Sequence, residues 1–137
     1  MMTDSAMKAE IVIDLKKYRL RIYKSTLHDL GDPMSIQILI NPSNMRLVIV
    51  PVEKKQPGDQ TLTIGINLNR SGASCEIYSM SFLSKLCDMT EKMVHGHSYL
   101  LKGKIVPSQR IASFDLSTPD EISLKGDNKW KNKKQIH

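Results

Sequence analysis

The sequence predicts a mainly β fold with two short helices, an α+β arrangement of two pseudo-repeats of strand, strand, helix, strand, strand. Three observations predict it. A pattern recurs: Ile22-Tyr23, then Ser25, Leu27 and Leu30, then Pro42-Ser43-Asn44 ahead of Leu47-Val48-Ile49-Val50. Its second copy reads Ile77-Tyr78, Ser81, Leu83 and Leu86, then Pro107-Ser108-Gln109 ahead of Ile111-Ala112-Ser113-Phe114. Upstream of each copy lies period-two alternation, Ile11/Ile13/Leu15 in the first and Leu62/Ile64/Ile66/Leu68 in the second, as a half-buried strand requires. Finally, each half is too small to bury a core alone, so residues 9–52 and 61–116 are expected to complete one domain, 9–116.

Taken in order, residues 1–8 are expected to be disordered. Ile11, Ile13 and Leu15 define the first strand, Lys16-Lys17 a polar turn, and Tyr18, Leu20 and Ile22 the inward side of the second. Lys17, Arg19 and Arg21 then face outward, a basic row that also suits an ordinary solvated surface. Ser25 reads as the N-cap of a helix whose Leu27 and Leu30 share the buried side. Gly31 supplies a left-handed stop and Pro33 prevents continuation. Residues 34–40 and 46–52 form two β-branched strands around the turn Asn41-Pro42-Ser43-Asn44. A polar linker, 53–60, carries Pro57-Gly58.

The second half opens with a strand at 61–68, a turn containing Ser71-Gly72, and a short strand at 75–78. Ser81 is expected to begin a helix through Met89, with Phe82, Leu83, Leu86 and Cys87 on its buried face. An insertion at 90–96 precedes strands at 97–105 and 110–116. From Ser117 the chain turns polar, and 117–137 is expected to be a basic flexible tail.

The chain of 137 residues is 40% hydrophobic but only 5% aromatic, and eight methionines offer adaptable apolar surface. No apolar run approaches the roughly 20 residues that span a bilayer, and residues 1–8 lack a secretion signal. Two distant cysteines then read as reduced thiols, so a cytoplasmic location is expected. Twenty Lys+Arg against 14 Asp+Glu make the net charge +6. Residues 125–137 carry five lysines against Asp127, so +4 of that charge lies in the tail. Such a tail is either a solvated end or an arm that reaches phosphates.

The run Glu10-Ile-Val-Ile-Asp14-Leu-Lys-Lys-Tyr-Arg19-Leu-Arg-Ile22, followed by Leu27-x-x-Leu30-Gly31, resembles the AbrB/MazE/SpoVT swapped-hairpin family. The resemblance covers about residues 9–52 and, more faintly, 61–116, in a tandem arrangement similar to MraZ proteins. It implies interlocked hairpins closing a small swapped-hairpin β-barrel, and DNA binding through the basic face around the first hairpin. Carried over by position, Arg19 matches the family arginine, Lys16 and Lys17 occupy the hairpin turn, and Lys24 stands where the helix begins. Arg21 joins them by alternation alone. Tyr18 stands where the family usually has glycine, Tyr23 replaces the usual proline, and His28-Asp29 stand where a helix arginine is common. The second hairpin keeps Arg70 only.

The leading expectation is a DNA-binding regulatory protein, with duplex DNA as partner. Lys16, Lys17, Arg19, Arg21 and Lys24 form its face, and Arg70, Lys129, Lys131, Lys133 and Lys134 add phosphate contacts. On this reading Arg19→Ala and Lys17→Ala weaken DNA binding without lowering the melting temperature. The alternative is a protein-interaction module, either a mobile-element or phage-type inhibitor or an antitoxin-like partner, acting on a host protein or nucleoprotein. Two chains could also swap hairpins into a homodimer. No enzyme, cofactor or metal site is expected. Cys75, Cys87, His95 and His97 fit no common zinc-finger spacing, and no phosphate-cradling loop or nucleophile elbow is present.

Overall fold

The alternation becomes nine strands in a computed structural model that describes residues 7–52, 62–67 and 74–123. In the first half β1 (Met7–Asp14) and β2 (Arg19–Tyr23) form a hairpin, α1 (Lys24–Asp29) follows, and β3 (Ser35–Asn41) pairs with β4 (Arg46–Pro51). In the second half β5 (Leu62–Asn67) and β6 (Ser74–Tyr78) precede α2 (Met80–Thr90), and β7 (Ser98–Val106) pairs with β8 (Ile111–Asp115). The chain is thus mainly β with two helices, as its periodicity requires.

All described strands join one antiparallel sheet, eight of them in the order β5-β3-β4-β8-β7-β1-β2-β6 and the ninth off this path against β7, and the sheet curls into a half-barrel. Four of its pairings, β3–β5, β4–β8, β1–β7 and β2–β6, join a strand of one half to a strand of the other. Ile11, Ile13, Leu20, Ile22, Ile36, Ile38, Leu47, Ile49, Leu101 and Phe114 line the inner face, and α2 lays Phe82, Leu83 and Leu86 into the same core. Burying each such side chain contributes about 1.5–3 kcal/mol, offset by the entropy of ordering it.

Four local expectations shift. Met7 and Lys8, expected to be disordered, open β1 because Ile105 and Lys104 of β7 pair with them. α1 starts at Lys24 behind Tyr23, with no side-chain cap, so burial of Leu27 and Leu30 holds it rather than Ser25. Its end follows the expected route, with Gly31 at φ 91, and Arg110 Nε donates to the Leu30 carbonyl at 3.0 Å. α2 is capped by Ser79, whose hydroxyl accepts the Phe82 N–H at 3.2 Å, two residues before the expected Ser81. The domain also runs past residue 116. β8 covers only Gly103–Val106 of the nine-residue β7, and the edge left at Ser98–Leu100 is paired by β9 (Asp120–Ile122). Arg70 and the tail lysines Lys129, Lys131, Lys133 and Lys134 lie outside the described residues.

Candidate nucleic-acid interface

Because side chains alternate across each strand, residues opposite the core share the outer face. The registers place Lys8, Glu10 and Asp14 of β1 there, with Arg19 and Arg21 of β2 and Glu76 and Tyr78 of β6. Lys102 and Lys104 of β7, Asp115 of β8 and Arg46 of β4 continue the same surface. The outward basic face expected on β2 is therefore one end of a larger mixed-charge surface.

Arg19 and Arg21 are braced by acids. Arg19 donates from Nε to Asp14 Oδ2 at 2.9 Å and from Nη1 to Glu76 Oε1 at 3.2 Å, and its side chain is only 13% exposed. Arg21 Nε lies 3.0 Å from Glu76 Oε2, and its Nη2 lies 2.8 Å from the same oxygen. Asp14 is fully buried and also accepts the Lys16 N–H at 2.9 Å, the Lys17 N–H at 3.3 Å and the Ser98 hydroxyl at 3.2 Å. Burial pushes the Asp14 carboxyl up, but these donors outweigh it and hold it below the ordinary range. Arg19 is thus a structural strut, so its removal is expected to lower stability, against the sequence expectation of an unchanged melting temperature.

The five residues expected to form one face divide into three groups. Lys16 and Lys17 sit exposed at the β1–β2 turn. Arg19 and Arg21 are held on the strand. Lys24 lies exposed at the far end of β2, about 16 Å away at 3.3 Å per strand residue. Ile122 of β9 and Asp14 of β1 both oppose Ser98, so the described chain ends at Ser123 on the same side of the sheet as the Lys16-Lys17 turn.

A groove of about 850 Å³ opens at the other end of β1, lined in part by Lys8, Glu10, Arg46, Lys102, Lys104 and Asp115. Lys8 and Lys104 are exposed direct cross-strand partners, and neither side chain makes a hydrogen bond or ion pair with a described residue. Arg46 opposes Asp115, while Lys102 lies 3.4 Å from Asp120. The acids Glu10, Asp29 and Asp115 share this groove, so it is mixed in charge with a local excess at Lys8 and Lys104. Sequence reading missed these lysines because their strands become neighbours only through β1–β7 pairing across about ninety residues. Asp14 opposite Arg19 was within reach of hairpin alternation; Glu76 was not.

Comparison with family models, with curated proteins and with solved structures finds no match to this chain.

Proposed function

We propose that this chain is a DNA-binding regulatory protein made of two tandem swapped-hairpin units, which grips duplex DNA by its phosphates. Pairing symmetry supports the architecture. Arg21 pairs with Glu76, 55 positions on, and Val48 with Ser113, 65 positions on. Moving the first hairpin by 55 and the second by 65 carries the pair Ile11–Leu101 onto Ile66–Ile36, and Ile38–Ile49 onto Gly103–Phe114. Both resulting pairs are present. Met45 and its equivalent Arg110 both take positive φ, at 54 for each. Tyr18, at the family's glycine position, has φ 52, the conformation glycine adopts most readily.

The observation that carries the DNA reading is the like-charged pair Lys8–Lys104 on the outer face. Like charges directly opposed across strands are destabilising, and a phosphate seated between them relieves the repulsion. Lys16, Lys17 and Lys24 extend the phosphate track, and the lysines of residues 125–137 add sequence-independent phosphate contacts on the same reading. Arg19 and Arg21 shape the hairpin and leave base reading to other groups; the regulatory role rests on the family resemblance. Fluorescence anisotropy with labelled duplex over a salt series tests this. Lys8→Ala/Lys104→Ala is expected to weaken binding and to lower the salt slope by about 2, as is Lys16→Ala/Lys17→Ala. Unchanged affinity and slope in both double variants would end the DNA reading.

One observation favours the interaction module as a second reading. β6 ends the sheet among the described strands, with Tyr78 63% and Met80 65% exposed beside it, where a partner's strand could add. Nuclease-treated affinity purification that recovers a stoichiometric protein, lost on Tyr78→Ser/Met80→Ser, would favour that reading.

A further inference from the structure

The four sulfur and imidazole groups that the sequence scatters are sorted by the fold. Cys75 sits on β6 opposite Ile22, and His97 Nδ1 lies 2.6 Å from a Glu121 carboxylate oxygen. Cys87 and Asp88, near the C-terminal end of α2, meet His95 from the loop that leads into β7. The sulfur, a carboxylate oxygen and a ring nitrogen of these three all lie within 4.8 Å of one another. His95 Nε2 is 3.3 Å from Asp88 Oδ1, and its Nδ1 is 2.9 Å from the Tyr18 hydroxyl oxygen.

We propose that Cys87, Asp88 and His95 bind a divalent transition metal, zinc by the chemistry of the donors, with water as fourth ligand. Thiolate, imidazole and carboxylate are the three side-chain donors zinc takes, and a tetrahedral ion places its ligand atoms about 3.5 Å apart. Cys87 is buried and positioned by α2, whereas Asp88 and His95 are exposed and can rotate inward to close the remaining distance. The sulfur now donates its proton to the Met93 carbonyl at 3.2 Å; coordination releases that proton to solvent and leaves the thiolate on the metal.

Tyr18 supplies the outer support such a site needs. With Nε2 on the metal, the ring proton resides on Nδ1 and is donated to the Tyr18 oxygen, which fixes the tautomer and the ring plane. Occupancy would tie the end of α2, the loop at 91–97 and the β1–β2 turn into one unit. This inference is independent of DNA binding.

Cobalt(II), titrated into the full-length protein as a spectroscopic stand-in for zinc, tests the site. One ion per chain is expected, with a thiolate-to-cobalt charge-transfer band and tetrahedral ligand-field bands that zinc abolishes. Cys87→Ser removes the charge-transfer band. His95→Gln and Asp88→Asn, changes at exposed positions with circular dichroism confirming the fold, weaken cobalt binding at least about tenfold, and Tyr18→Phe weakens it about tenfold. Cys75→Ser and His97→Gln leave the spectrum unchanged. A folded wild-type protein without the charge-transfer band overturns the site. So does a band that persists at full affinity in both His95→Gln and Asp88→Asn, or one lost with Cys75→Ser.

Discussion

Asp14 has no exposed surface, yet four donors converge on it: two turn N–H groups, the Arg19 guanidinium and the Ser98 hydroxyl. Removing one partner of a buried pair leaves the other uncompensated, so Arg19→Ala and Asp14→Asn are each expected to cost about 3 kcal/mol in urea unfolding at neutral pH. Arg21→Ala, in a pair whose side chains are 27% and 28% exposed, is expected to cost about 1 kcal/mol or less. The Asp14 carboxyl titrates below its ordinary value of 3.8 when folded, since its hydrogen bonds outweigh its burial. Its contribution is therefore fully present above 3.8 and is lost as pH falls through the lower, folded value. Asp14→Asn should accordingly flatten the acid limb of the stability profile. A variant as acid-sensitive as wild type would remove Asp14 from this role. At this scale the sequence was half legible: hairpin alternation aligns Asp14 with Arg19, but no local signal couples either to Glu76.

Among the elements, α2 shows how a cap is chosen by geometry. Both Ser79 and Ser81 are N-cap types, and the repeat favoured Ser81, yet only Ser79 has extended backbone and a hydroxyl accepting Phe82 N–H. Ser79→Ala is expected to cost about 1 kcal/mol and Ser81→Ala almost nothing, read by thermal unfolding. β7 carries a second constraint. A Cβ on Gly103 would stand 2.1 Å from the Ser113 carbonyl oxygen and 2.7 Å from a Phe114 ring carbon. Backbone must move to admit it, so Gly103→Ala is expected to cost about 3 kcal/mol. An unchanged urea midpoint would mean that β7 and β8 can separate at little cost. β9 escaped the sequence reading because two exposed acids and one half-buried isoleucine carry no periodic signal; the edge that β8 leaves open on β7 pairs with them.

For the whole molecule, the consequence of interleaving is that neither half can hold its own fold. β1 and β2 each have a second-half neighbour, as do β3 and β4. Fragments 1–60 and 61–137 are expected to be unfolded separately by circular dichroism and to recover strand signal when mixed. A folded 1–60 fragment would contradict that dependence. No helix of the described residues is long and apolar enough to cross a membrane.

Periodicity and punctuation alone indicated strands β1 to β8 and the two helices, with the buried side of those in the first half and of α2, because a two-residue or near-four-residue repeat is a local property of the chain. Tertiary structure alone decided the rest: that Glu76 neutralises the arginines expected to meet DNA, that Lys8 faces Lys104, and that Cys87 meets His95. Those juxtapositions depend on which strands and loops become neighbours. That choice is made by fitting the inner faces around one shared core, so it cannot be read from any window of sequence shorter than the domain.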